Sequence, residues 1–126
     1  MTAARLLPST PMDVVIWHNP GCSKSRQALA LLEERGYAPT VRQYLKDPPS
    51  EDELRAVLRE LGFEDPRALV RTKEKEYEEL GGAQLEGDAL VRAMAEHPRL
   101  IERPVVITKK GARIGRPTEA ILEVLE

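Results

Sequence analysis

The 126-residue chain has one cysteine, one tryptophan, one phenylalanine and two histidines, and aromatic residues make up only 4% of it. A single cysteine excludes an internal disulfide and a two-cysteine redox cycle, so any oxidation of that sulfur must be reversed by a thiol from outside. With no disulfide framework, a reducing compartment is expected, most simply the cytoplasm. One cysteine and two histidines (His18 and His97) offer no recognisable metal-ligand spacing, so neither a metal nor a bound cofactor is expected. No apolar run approaches the roughly 18 residues of a membrane span, and the N-terminus has no signal-peptide core. Neither sign of charge dominates: 19 Lys and Arg stand against 21 Asp and Glu, a net charge of −2. Nothing global therefore attracts nucleic acid or an anionic membrane, and any anion site has to be built locally. A phosphate-binding glycine loop is also absent, which removes the usual nucleotide cradle.

What is present is enough for one core, since 41% of the residues are hydrophobic. Residues 1–12, with Pro8, Ser9, Thr10 and Pro11, show no periodicity and read as a flexible extension to a single domain over 13–126. Val14 to Trp17 is a continuous apolar run, as in a strand covered on both faces. A helix is expected from Ser23 or Lys24 to Arg35, ended by Gly36, and a second strand over Thr40–Leu45. Ser50 and Glu53 form a capping box before Leu54, Val57, Leu58 and Leu61, and Asp65–Pro66 opens a short helix. Thr72–Leu80 reads as a charged loop or surface helix, and Asp88 as the cap of a helix ending before Pro98. Pro104–Thr108 and Ala112–Ile114 then form a hairpin, followed by a helix from about Thr118. Strand, helix, strand, hairpin, helix is the order of a thioredoxin-like α/β fold with a mixed four-stranded sheet. A helical insertion at about residues 48–98 separates its second and third strands.

The candidate chemistry sits at the first strand end. Asn19, Pro20 and Gly21 break the strand, and Cys22 stands where the helix begins. The first turn of a helix carries unpaired N–H groups and about half a positive charge, which stabilises a thiolate and lowers its pKa. Lys24, Arg26 and His18 offer further cationic support. A lone cysteine is also an ordinary small core residue. Its neighbours here, Gly21 and three polar or charged residues, suit an exposed loop–helix junction better.

The run His18-Asn19-Pro20-Gly21-Cys22-Ser23-Lys24-Ser25-Arg26 resembles the active-site loop of the glutaredoxin-coupled arsenate reductase family. The likeness extends through Tyr44–Ser50, Arg67–Arg71, Arg103–Val106 and Gly115–Glu119. It implies the thioredoxin-like fold and a reaction in which Cys22 attacks arsenate, with glutathione as co-substrate and glutaredoxin as partner. It also implies that Cys22, Arg71, Arg103 and Arg116 together form the oxyanion site, a convergence that spacing cannot show. These arginines stand beside breakers or element ends, and guanidinium groups bind tetrahedral oxyanions through paired donors. Any one of the 13 arginines is, taken alone, a solvated charge. By the same likeness His18 helps ionise the thiol, the Ser25 hydroxyl donates to it, and Pro104 is a cis-proline opposite it. A monomer is expected.

Other readings fit less well. A phosphatase-type loop needs arginine six positions after the cysteine, where Ala28 stands. Thioredoxins and glutaredoxins with Cys-x-x-Cys need a second cysteine where Ser25 stands, although monothiol exchange without arsenate chemistry stays open. An Spx-type RNA polymerase-binding regulator shares the fold but would leave the three arginines without a common task.

Overall fold

Alternation along the first strand sets up both layers of the molecule, which a computed structural model describes over residues 12–126. In and beside β1 (Val15–Trp17), Val14 and Ile16 face a cluster with Ala28, Leu32, Val106, Ile121 and Val124. Trp17 faces the opposite cluster of Leu54, Leu58, Leu69, Met94 and Val105. A strand with apolar partners on both sides needs apolar residues at every position, which is why the run does not alternate. The extension expected over 1–12 lies outside the described residues except for Met12. That side chain is 8% exposed and joins the cluster around Val14, because an apolar side chain beside β1 gains more from burial than from water.

Helix α1 (Ser23–Glu34) leads from β1 to β2 (Thr40–Arg42), which pairs with it in parallel. On its other side β1 pairs antiparallel with β3 (Val105–Thr108), and β3 with β4 (Gly111–Ile114), giving the order β2-β1-β3-β4. This is the mixed four-stranded sheet of a thioredoxin-like fold. The second strand stops three residues earlier than its alternation predicts. Lys46 and Asp47 both donate their N–H groups to the Gln43 carbonyl, and this turn replaces the ladder. The C-terminal segment Thr118–Val124 is a 3-10 helix rather than an α-helix, yet it still buries Ile121 and Val124 on the α1 side.

Between β2 and β3 the chain forms α2 (Glu51–Leu61), α3 (Lys75–Glu79) and α4 (Asp88–Glu96), with short 3-10 turns between them. Asp88 opens α4 as its first residue and Gly87, at φ 51°, takes the cap position, since only glycine tolerates that backbone freely. Ser50 and Glu53 form the reciprocal capping box, and Leu54, Val57, Leu58 and Leu61 are all buried. Arg67 ties the insertion together by donating to the Tyr77 hydroxyl and to the carbonyls of Gly82 and Leu85.

Arg42 anchors this insertion to the sheet. Its guanidinium donates to Glu53 and to the Pro48 carbonyl at 3.0 Å, and lies 6.0 Å from the Trp17 ring centre. The Arg42 hydrogen bond, helped by the Ser50 N–H, lowers the Glu53 pKa to about 2. An unfolded glutamate titrates near 4.3, so this pair stabilises the fold above about that pH and loses its contribution as the pH falls towards about 2. Glu53 is 46% exposed, so screening limits the contribution to about 0.5–1 kcal/mol. Glu53→Gln keeps the cap and removes the charge. Its deficit in chemical-denaturation stability should be full at pH 6 and shrink steadily below pH ~4; a deficit independent of pH would assign it to packing instead.

Candidate active site

Cys22 occupies the N-cap of α1, in a loop closed by its own side chains. The Asn19 carbonyl accepts from the Cys22 N–H at 2.9 Å, and its side-chain oxygen accepts from the Gly21 N–H at 2.9 Å. Arg26 donates to the Pro20 carbonyl at 2.8 Å. This packing leaves Cys22 only 9% exposed, less open than its polar neighbours suggest, because it starts the helix face continued by Ser25, Ala28 and Leu32. The sulfur is not sealed in hydrocarbon: Arg116 Nη2 donates to Sγ at 3.8 Å. Burial is the largest single influence on this thiol and pushes its pKa up. The N–H groups of Ser25 and Lys24, with the charges of Arg103 and Arg116, outweigh it, so the net shift is downward.

The local cations contribute differently from the sequence expectation. His18 is 6% exposed; burial first, then the charge of Arg26, lowers its pKa, so it is neutral near pH 7 and supplies no positive charge. Its buried Nδ1 has no partner among the described residues. Arg26 spends a donor on closing the loop, and the cations that act on the sulfur are the distant Arg103 and Arg116. Ser25, fully buried, meets the thiol through its backbone, while its hydroxyl accepts from the Asn19 N–H at 3.3 Å.

Two backbone contacts bring the arginines together. Val70 and Ile101 form an isolated antiparallel bridge, with the Arg71 N–H donating to the Leu100 carbonyl at 2.7 Å and the Glu102 N–H to that of Leu69 at 2.8 Å. That bridge sets Arg71 beside Arg103. The Arg103–Pro104 peptide is cis, and so is Arg116–Pro117, which the sequence did not single out. Finally, the Gly115 N–H donates to the Pro104 carbonyl at 2.9 Å, and a Cβ on Gly115 would lie 2.8 Å from the Pro104 ring. Only glycine lets the two proline segments approach this closely. Arg116 is then fixed by its Nε donating to the Arg103 carbonyl at 2.8 Å.

The result is a cavity of about 330 Å³ lined by Arg71, Thr72, Lys73, Glu102, Arg103 and Arg116. Arg116 belongs to both the cavity wall and the sulfur's surroundings, so it links the two. Four cationic side chains against one carboxylate give the cavity a net positive lining, and guanidinium donors suit a tetrahedral oxyanion. Two of the arginines are not bare: Arg71 pairs with Glu74 at 3.1 Å, and Arg103 lies 3.8 Å from Glu102. The Arg103 Nε is buried and has no partner among the described residues. Sequence reading missed Lys73, Glu74 and Glu102, which sit in charged stretches indistinguishable from a solvated surface, and Asn19 as the organiser of the loop. No group of three or more potential metal ligands occurs among the described residues.

Comparison with known proteins places the chain in a family. The model of the ArsC family matches residues 17–124. An arsenate reductase of Neisseria meningitidis serogroup A is 49% identical over 115 residues, covering 90% of this chain and 98% of that protein. One from Haemophilus influenzae is 46% identical over 116 residues, covering 90% of this chain and all of that protein (100%). The structure of an arsenate reductase from Vibrio cholerae superposes with a TM-score of 0.89 at 53% identity, covering 92% of this chain and 100% of that one.

Proposed function

Because the chain belongs to the ArsC family, we propose that it reduces arsenate to arsenite, with Cys22 as nucleophile and Arg71, Arg103 and Arg116 as the oxyanion-binding residues. The observation that carries this reading is Arg116, which lines the cationic cavity and also reaches Sγ at 3.8 Å. An oxyanion held in that cavity lies beside a sulfur already biased towards thiolate.

In the proposed reaction the thiolate attacks arsenic, an S–As bond forms, and one arsenate oxygen leaves as water after protonation. The arginines offset the repulsion between thiolate and arsenate, which in their absence would oppose attack. Neutral His18 is suited to holding the strand end rather than to charging the site. Two electrons must then come from external thiols, since the chain has one cysteine. Overall, arsenate and two thiols give arsenite, one disulfide and water. Glutathione and glutaredoxin are the proposed donors.

Arsenite production by the purified protein with arsenate, glutathione and glutaredoxin tests this directly. Turnover that needs all three is the expected result. Absence of arsenite, with Cys22 still undergoing thiol exchange, would instead make the protein a monothiol carrier.

A further inference from the structure

Arg71 lines two cavities. The second, of about 300 Å³, is bounded by Asn19, Tyr44, Leu45, Arg71, Glu74 and Arg99, and the oxyanion chemistry does not use it. It lies next to the reactive loop, because Asn19 accepts from the Cys22 N–H. Tyr44 is 1% exposed and within electrostatic reach of Cys22, Arg71 and Arg103, so its phenol forms a built, polar wall. The charges are arranged unevenly. Arg71 donates through Nη1 to Glu74 at 3.1 Å and contacts the Arg99 carbonyl at 3.5 Å, so it is already engaged on this side. The exposed Arg99 side chain has no ion-pair or hydrogen-bond partner among the described residues. The cavity therefore presents one uncommitted cation, a carboxylate with capacity for a further donor, and amide and phenol groups between them.

That set matches the polar end of a small amino-acid-like molecule carrying carboxylate and ammonium groups. The proposed reaction needs an external thiol, because the chain supplies no second cysteine, and a thiol built on such a molecule would fit this set. We propose that this second cavity seats the low-molecular-weight peptide thiol that takes over the modified Cys22, with Arg99 binding its carboxylate. The inference rests on the proposed use of an external thiol and goes beyond it by assigning a site. It separates the two reactants physically: oxyanion in the cavity of Arg103 and Arg116, thiol on the far side of Arg71.

The test reads Cys22 without arsenate. The Cys22 thiolate attacks one sulfur of oxidised glutathione, the disulfide bond breaks, and glutathione thiolate leaves with the electron pair. Mass spectrometry gives the rate of Cys22 modification, compared with that by bis(2-hydroxyethyl) disulfide, which has no charge. Arg99→Ala should slow the glutathione reaction about fivefold, as for a partly exposed ion pair, and leave the uncharged disulfide within about twofold. Arg99→Glu should slow it further, and Arg99→Lys should restore most of the rate. Protection of Cys22 from iodoacetamide by inorganic phosphate should be unchanged in all three. Equal slowing with both disulfides, or no slowing with either, overturns the proposal. Loss of arsenate turnover in the parent protein with this discrimination retained would reject the proposed function and keep the thiol site.

Discussion

Cys22→Ser should abolish arsenate reduction, by on the order of 10⁴-fold or more, because no other group in the chain can replace the thiolate as nucleophile. The same substitution should change stability by only about 1 kcal/mol, since the side chain keeps its size at a helix N-cap, where serine is favoured. Arsenite formation and a urea denaturation curve on one preparation separate these effects. Arsenite production within tenfold of the parent would remove Cys22 from the mechanism. The parent thiol carries a second signature. Its iodoacetamide reactivity should titrate below the range of an ordinary thiol, since the Ser25 and Lys24 N–H groups, Arg103 and Arg116 together outweigh the effect of burial. Ionisation above that point supplies the nucleophile, so activity governed by this step rises with pH through it.

The second large effect belongs to Arg116. Arg116→Ala removes a donor at the sulfur and a wall of the anion cavity together, and kcat/KM for arsenate should fall about 10²-fold or more. Arg116→Lys should recover only part of this, because a point charge lacks the guanidinium fork. The Cys22 titration should also move upward in both variants, more in the alanine. Arg71→Ala should cost less than Arg103→Ala or Arg116→Ala, as Glu74 already offsets much of the Arg71 charge. Steady-state kinetics across the series decides this order. Equal losses would mean that Glu74 leaves Arg71 once the oxyanion binds, and an unaffected Arg116 variant would uncouple the cavity from the sulfur.

The elements that the sequence predicted well are those fixed by short-range chemistry. Val14–Trp17 had to be covered on both faces because every position is apolar. Ser50 and Glu53 determine the start of α2 because a capping box involves residues three apart, and Gly62, at φ 77°, ends it in the left-handed conformation. Cys22 at a helix start was legible for the same reason: Asn19, Pro20 and Gly21 break the strand locally. The early end of β2 at Arg42 was not, because that arginine reaches across to Pro48 and Glu53 and holds the following turn. Nor was the helix type near Thr118 legible, where the segment forms a 3-10 helix that buries Ile121 and Val124.

The site divides in the same way. By itself the sequence determined the single cysteine, its position at the head of α1, and, for the proposed reaction, the need for an outside thiol, since each follows from residue identity and local order. Only the tertiary structure decided which cations face the sulfur. It lowered the His18 pKa by burying it, engaged Arg26 in the loop, and brought in Arg116 from 94 residues away. It also paired Arg71 with Glu74 and opened a separate cavity beside Arg99. The physical reason is range: a cap or a strand break depends on neighbours in sequence, whereas burial and Coulomb interactions depend on distances that exist only once the chain has folded.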